Sequence, residues 1–138
     1  MFNWIRDYLQ ELRMRIRVLI QDIRQRRRLR RICEAIEIRP YPWQRDFALG
    51  LIGCDAFPEG RATGKTTAVL LRILMLPPNA SEVAVRTILA RDPDWNPMDP
   101  RRCRWYAYEY VRLRAMCMER GIETVSALEE YRAWRHKK

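Results

Sequence analysis

The stretch Glu59-Gly60-Arg61-Ala62-Thr63-Gly64-Lys65-Thr66-Thr67 holds the residue types with which a loop and a helix start grip phosphate. Such a site needs backbone N–H groups turned inwards and a glycine that lets the anion approach. It also needs a helix that begins at once, so that its free donors and partial positive charge face the anion. Gly64 supplies the close approach, Lys65 an ammonium for the outer phosphates, and Thr66 a hydroxyl suited to Mg²⁺ beside them. Gly60, Arg61, Thr63 and Thr67 complete the candidate loop, and the apolar run from Ala68 supplies the helix. The full phosphate-loop pattern has a glycine five positions before Gly64; Glu59 stands there, and Gly60 is displaced by one. The plainer alternative is that Thr63 or Gly64 caps a helix and Lys65 faces solvent.

Upstream lies Arg39-Pro40-Tyr41-Pro42-Trp43-Gln44-Arg45-Asp46-Phe47. Proline and aromatic residues followed by a glutamine, about twenty residues before the loop's last glycine, resemble the adenine-recognition segment of phage terminase large subunits and related helicase-like motors. Those terminases also tolerate a departed first glycine and often place an arginine early in the loop, where Arg61 stands. The resemblance covers about residues 39–76. It implies that Gln44 reads the adenine edge, that Trp43 stacks on the base, and that Lys65 meets the outer phosphates. It further implies Thr66 on a nucleotide-bound Mg²⁺ and Arg61 assisting at the phosphates. The alternative is a helix start with core aromatics.

Motors of that family have a parallel sheet whose strand feeds straight into the loop, and Cys54-Asp55-Ala56-Phe57-Pro58-Glu59 is a poor strand. They also carry an apolar strand ending in Asp-Glu, which holds the metal's water and activates the nucleophile. Ile88-Leu89-Ala90-Arg91-Asp92 is the nearest match and lacks the second acid. Positioning without a base or water-orienting acid gives little phosphoryl transfer. The expectation is therefore binding of ATP with Mg²⁺, or of another phosphate ligand, without autonomous hydrolysis and with no catalytic residue assigned. The resemblance implies a phage-type protein, accessory to or a shortened relative of a DNA-packaging motor, in the cytoplasm of a bacterial host.

The elements that must position these residues read as mainly α: a small helical domain. A heptad seam of Ile5, Leu9, Leu12, Ile16, Leu19 and Ile23 predicts a long basic N-terminal helix from Asn3 to about Ile38. Pro40 and Pro42 end it and divide a helical segment, 1–38, from a single small domain, 39–138. The seam either docks on the protein's own core or pairs with a partner helix or a second copy. Phe2 and Trp4 suit a membrane-surface helix as a third reading. A short helix from Trp43 through Phe47, Leu49 and Leu51 follows, then the Gly-rich loop and a central helix from Lys65 to about Leu76, stopped by Pro77 and Pro78. Asn79 with Glu82 reads as a capping box for a helix over Ala80–Ala90. The alternation of Val83, Val85 and Thr87 keeps a strand at 82–89 as the alternative. A C-terminal helical pair closes the chain: Arg101–Arg120, with Tyr106, Tyr110, Leu113 and Cys117 on one stripe and Gly121 as its cap, then a helix capped by Thr124 through Val125, Leu128 and Tyr131.

Composition decides which partners fit. The net charge of +10 comes almost wholly from arginine, whose planar fork suits phosphate, so an anionic partner, nucleic acid foremost, is expected. Arg24, Arg26, Arg27, Arg28, Arg30 and Arg31 suit a nucleic-acid backbone, and Arg101, Arg102 and Arg104 beside Trp105 form a second basic site with an aromatic face. The competing reading is a non-enzymatic helical nucleic-acid-binding or assembly protein whose Gly-Lys-Thr is only a helix cap. A third is a fragment whose sheet and acids lie in another chain. Cys33, Cys54, Cys103 and Cys117 are widely spaced and His136 stands in a charged tail, which offers no structural metal site and no Cys/His dyad. No segment reads as a membrane span.

Overall fold

The computed structural model describes residues 2–60 and 64–126. Five α-helices and one short 3₁₀ turn make up its regular structure, with no strand among the described residues: α1 Asn3–Ala35, α2 Pro42–Ala48, the turn Cys54–Ala56, α3 Lys65–Met75, α4 Glu82–Leu89 and α5 Pro100–Glu119. The chain is thus mainly α, as its periodicities predict. Of the helix expected from Thr124 through Val125, Leu128 and Tyr131, residues 124–126 are not helical and the rest lies outside the described residues.

The core forms around α3, whose Ala68, Val69, Leu70, Leu71, Ile73, Leu74 and Met75 are all buried. A helix apolar on nearly every side must be covered on every side, and α2, α4 and α1 do so, while α5 adds Tyr106, Tyr110, Leu113 and Cys117. Full burial of one such leucine contributes about 1.5–3 kcal/mol. Arg72 is the polar exception within Ala68–Met75; its guanidinium carbon lies 4.8 Å above the Phe47 ring.

Local signals set the boundaries. Gly50 and Gly53 loosen the chain after α2, so that helix stops at Ala48 and leaves Leu49 and Leu51 beyond it. The strand alternative at 82–89 is overturned: Val85, Ile88 and Leu89 are buried and Val83 is exposed, the spacing of a helix face. Its cap is also displaced from the expected Asn79. The Ala80 N–H donates to the Pro77 carbonyl, which places Asn79 in a preceding turn, and the Ser81 hydroxyl accepts from the Ala84 N–H instead. α5 starts on Asp99, which accepts from the N–H groups of Arg101 and Arg102, with Pro100 in the first turn. It ends as expected: Gly121 has φ +72°, Ile122 donates to Cys117 and Gly121 to Met118, and Ile122 is buried.

α1 ends in the same way with a residue less suited to it. Ile38 donates to the Cys33 carbonyl across Glu37, which takes φ +59°. Only the last third of α1 joins the core, through Leu29, Ile32, Cys33 and Ala35. The seam from Ile5 to Ile23 does not dock on the protein's own core: Leu19 is 60% and Ile23 45% exposed. The physical reason is length. At 1.5 Å per residue the helix runs about 50 Å, well beyond a domain this small.

Candidate phosphate site

Three elements converge on the N-terminus of α3. Gly64 precedes Lys65 with φ +89°, a left-handed conformation open to glycine. Its carbonyl accepts the Gln44 side-chain Nε2–H at 2.9 Å, and the Gln44 Oε1 accepts the Tyr41 N–H at 2.8 Å. Gln44 is 4% exposed, so its amide is a strut from the start of α2 to the end of the loop. A Cβ built on Gly64 would stand 2.4 Å from the Gln44 Nε2.

Beside the strut opens a cleft of about 530 Å³, lined by Ile38, Arg39, Tyr41, Trp43, Gln44, Pro58, Gly64 and Thr67. Trp43 is backed by Phe57, their ring centroids 5.3 Å apart. The structure therefore brings Trp43, Gln44, Gly64 and Thr67 to one wall. On the loop's other side the Lys65 ammonium donates to the Gly60 carbonyl at 3.1 Å and bridges the two ends of the loop. Arg61 and Thr63 lie outside the described residues.

Thr66 turns away from the cleft. Its hydroxyl donates to the Asp92 Oδ2 at 2.8 Å, and the Tyr106 hydroxyl donates to the same oxygen at 2.5 Å. The Asp94 N–H donates to the other carboxylate oxygen at 2.9 Å. Asp92 is 2% exposed and these three donors hold it. Burial, then the bond to Asp92, pushes the Tyr106 hydroxyl well above the usual phenol range. The Tyr106 ring is met edge-on by Trp95 and Trp105. A hollow of about 260 Å³ opens next to Thr66, between Asp94, Arg102, Trp105 and Tyr106.

Asp92 and Tyr106 escaped assignment to the site from sequence. Asp92 closes an apolar run without the expected second acid, and Tyr106 reads as one member of a core stripe. The one available signal was an acid two residues behind Ile88-Leu89-Ala90, where a chain leaves the core.

The arginines divide by environment. Arg24, Arg27, Arg30 and Arg31 are exposed on α1, and Arg26 pairs with Asp22 at 3.1 Å. Arg28 points inward instead: its guanidinium donates to the carbonyls of Leu74, Leu76 and Glu123, locking the end of α3 to the segment after α5. That role corrects its assignment to a nucleic-acid surface. Arg101 and Arg104 are exposed, whereas Arg102 pairs with Asp99 and donates to the Asp94 carbonyl. A second cleft, of about 490 Å³, lies between α1 and α2; Arg26, Arg30, Arg39 and Arg45 stand around Leu29, Cys33 and Leu49 in it.

These features define a small mainly-α domain with a loop-to-helix junction braced by Gln44 and Asp92. Comparison with protein-family models, with curated proteins and with solved structures gave no match. No helix among the described residues is long and apolar enough to cross a membrane, and none of them form a cluster of three or more acidic, histidine or cysteine side chains around a metal position.

Proposed function

We propose that the loop ending at Gly64 binds a nucleotide or another polyphosphate, with ATP and Mg²⁺ as the ligand to which the resemblance points. The carrying observation is the pairing of Thr66 with buried Asp92 across 26 residues of sequence. A helix cap alone has no use for a buried carboxylate behind the second residue of its helix. A phosphate loop does, because a hydroxyl and a carboxylate oxygen are the hard donors that suit Mg²⁺. Thr66 and Asp92 would hold the ion, which would neutralise phosphate charge there. Lys65 would exchange the Gly60 carbonyl for phosphate oxygens, a charge-assisted bond for a neutral acceptor. The base would lie in the cleft against Trp43, with Gln44 presenting its remaining amide hydrogen. Asp92, the one acid hydrogen-bonded to Thr66 among the described residues, is taken up by the ion, so the reading is binding without autonomous hydrolysis, by a protein accessory to a phage-type DNA-packaging motor or shortened from one.

The test is a titration with a fluorescent ATP analogue and Mg²⁺ beside Lys65→Ala. Saturable binding that Lys65→Ala reduces at least tenfold is expected, since one charge-assisted bond is worth about 1.5–3 kcal/mol. A folded wild-type protein that binds no analogue refutes it.

A second reading, nucleic-acid binding without nucleotide, is favoured by the exposed arginines of α1 and the four around the second cleft. Its signature is a steep fall of affinity with salt, about 0.9 in log–log slope for each phosphate contacted on duplex DNA. Removing Arg24, Arg27 and Arg31 should flatten that slope while leaving any nucleotide binding unchanged.

A further inference from the structure

The front two-thirds of α1 carries an apolar seam that nothing among the described residues covers. Leu9, Leu12, Ile16, Leu19 and Ile23 are each at least 40% exposed. The seam also lies more than a right angle around the helix from the stripe Leu29, Ile32, Cys33 and Ile36 that docks on the core. A partner along the seam would therefore meet the bare helix without displacing the domain.

We infer that this partner is a second copy of the chain, paired through a parallel two-stranded coiled coil over Ile5–Ile23. Three observations select it. The steps from Ile5 to Ile23 are strictly four and three, which places Leu9, Ile16 and Ile23 at the first core position of the heptad and Ile5, Leu12 and Leu19 at the second. A β-branched residue at the first with leucine at the second is the pattern that favours two parallel strands. It holds at Ile16 and Leu19, the apolar heptad nearest the domain, while the heptad before it has leucine at both positions.

Charge decides the orientation. In the parallel register Asp22 of one copy faces Arg27 of the other, twice by symmetry, while Arg15 faces Ile20 and Tyr8 faces Arg13. No like charges oppose each other. Antiparallel helices centred between Leu12 and Ile16 would set Arg13 against Arg13 and Arg15 against Arg15. Asp22 holds Arg26 of its own helix at 3.1 Å with both side chains about half exposed, so it is open to the second arginine.

The end of the pairing is set as well. The next two seam positions are Arg26 and Arg30, and four guanidinium groups on one axis repel. The helices must begin to splay at Arg26, with the Asp22–Arg27 pairs at the mouth of the fork, which sends the two domains outwards and leaves their arginine segments side by side.

Sedimentation equilibrium of the full chain over a concentration series into the high-micromolar range tests this. The mass should rise from 16.7 kDa to twice that and no further. The variant Leu12→Glu/Leu19→Glu should stay monomeric while keeping the domain's thermal transition. For orientation, Ile5→Cys on a Cys54→Ser background should cross-link to itself under air oxidation. A wild-type chain that stays monomeric throughout overturns the inference; if that monomer instead co-sediments with anionic vesicles, the seam serves a lipid surface. A dimer that survives the double substitution, or an Ile5→Cys chain that cross-links only to Ile23→Cys, overturns it too.

Discussion

Replacing Gly64 by alanine probes whether Gln44 braces the loop. Two costs follow from the geometry. At φ +89° an L-residue loses about 1–2 kcal/mol to its own Cβ. The new Cβ would also stand 2.4 Å from the Gln44 Nε2, so Gln44 must leave. That breaks its bonds to the Gly64 carbonyl and the Tyr41 N–H, at about 1 kcal/mol each. The lower entropy of the unfolded alanine chain returns about 0.4–1 kcal/mol. The net loss is about 2–3 kcal/mol, or roughly 8–12 °C in Tm for a chain of this size. Gly60→Ala is the control: Gly60 has φ +98° and nothing within 4 Å of an added Cβ, so it should lose only about 1 kcal/mol. Gln44→Ala removes the obstacle in advance. In a thermal or urea double-mutant cycle, Gln44→Ala/Gly64→Ala should be less destabilised than the sum of the singles by about 1 kcal/mol or more. Equal losses at Gly60 and Gly64, with additive behaviour in the cycle, would refute the strut.

Glu37→Gly should stabilise the protein by about 1 kcal/mol, since Glu37 takes φ +59° where a helix end favours glycine; a Tm that stays level or falls would show that nothing is strained there. The buried thiols give a pH dependence. Burial pushes Cys33 up from an ordinary value of 9.0 to about 11 and raises Cys103 and Cys117 as well. The folded protein then keeps thiol protons that the unfolded chain releases, so stability is whole below pH 9 and is lost as pH rises from 9 towards 11. Urea midpoints that stay flat over that window contradict this. Exposed Cys54 should alkylate at neutral pH while the other three react only on unfolding.

How far the sequence could be read follows from which forces act locally. Prolines, glycines and heptads act within a few residues, so α1 from Asn3, the stop at Pro77 and the Gly121 cap were legible in the sequence. The cap of α4 was misplaced because Asn79 and Ser81 both offer a capping oxygen. The choice between them rests on the turn closed by Ala80 and Pro77, a backbone bond that residue types do not announce. The same limit hid half of the site. Lys65 and Thr66 follow from spacing, but the partners of Thr66 come from 26 and 40 residues away, and only the packing of α4 and α5 on α3 brings them there. Arg28 was legible as a cation and not as a clasp, because its three carbonyls lie 46, 48 and 95 residues downstream.

Asp92 ties these parts into one unit. Its Oδ2 takes hydrogen bonds from α3 through Thr66 and from α5 through Tyr106, and its other oxygen is held by the loop it belongs to. A ligand that drew the Thr66 hydroxyl to itself would leave Tyr106 and Asp94 as the carboxylate's donors. Tyr106 carries the exposed Trp105 edge-on against its ring, and Trp105 stands next to Arg101, Arg102 and Arg104. Thr66 at the loop is therefore connected to the aromatic and basic face of α5 through a single buried oxygen. Buried polar groups that share an acceptor strengthen or weaken together in a low-dielectric interior. A change at the Trp105 face of α5, unlike one at the arginines of α1, should therefore register at the phosphate loop.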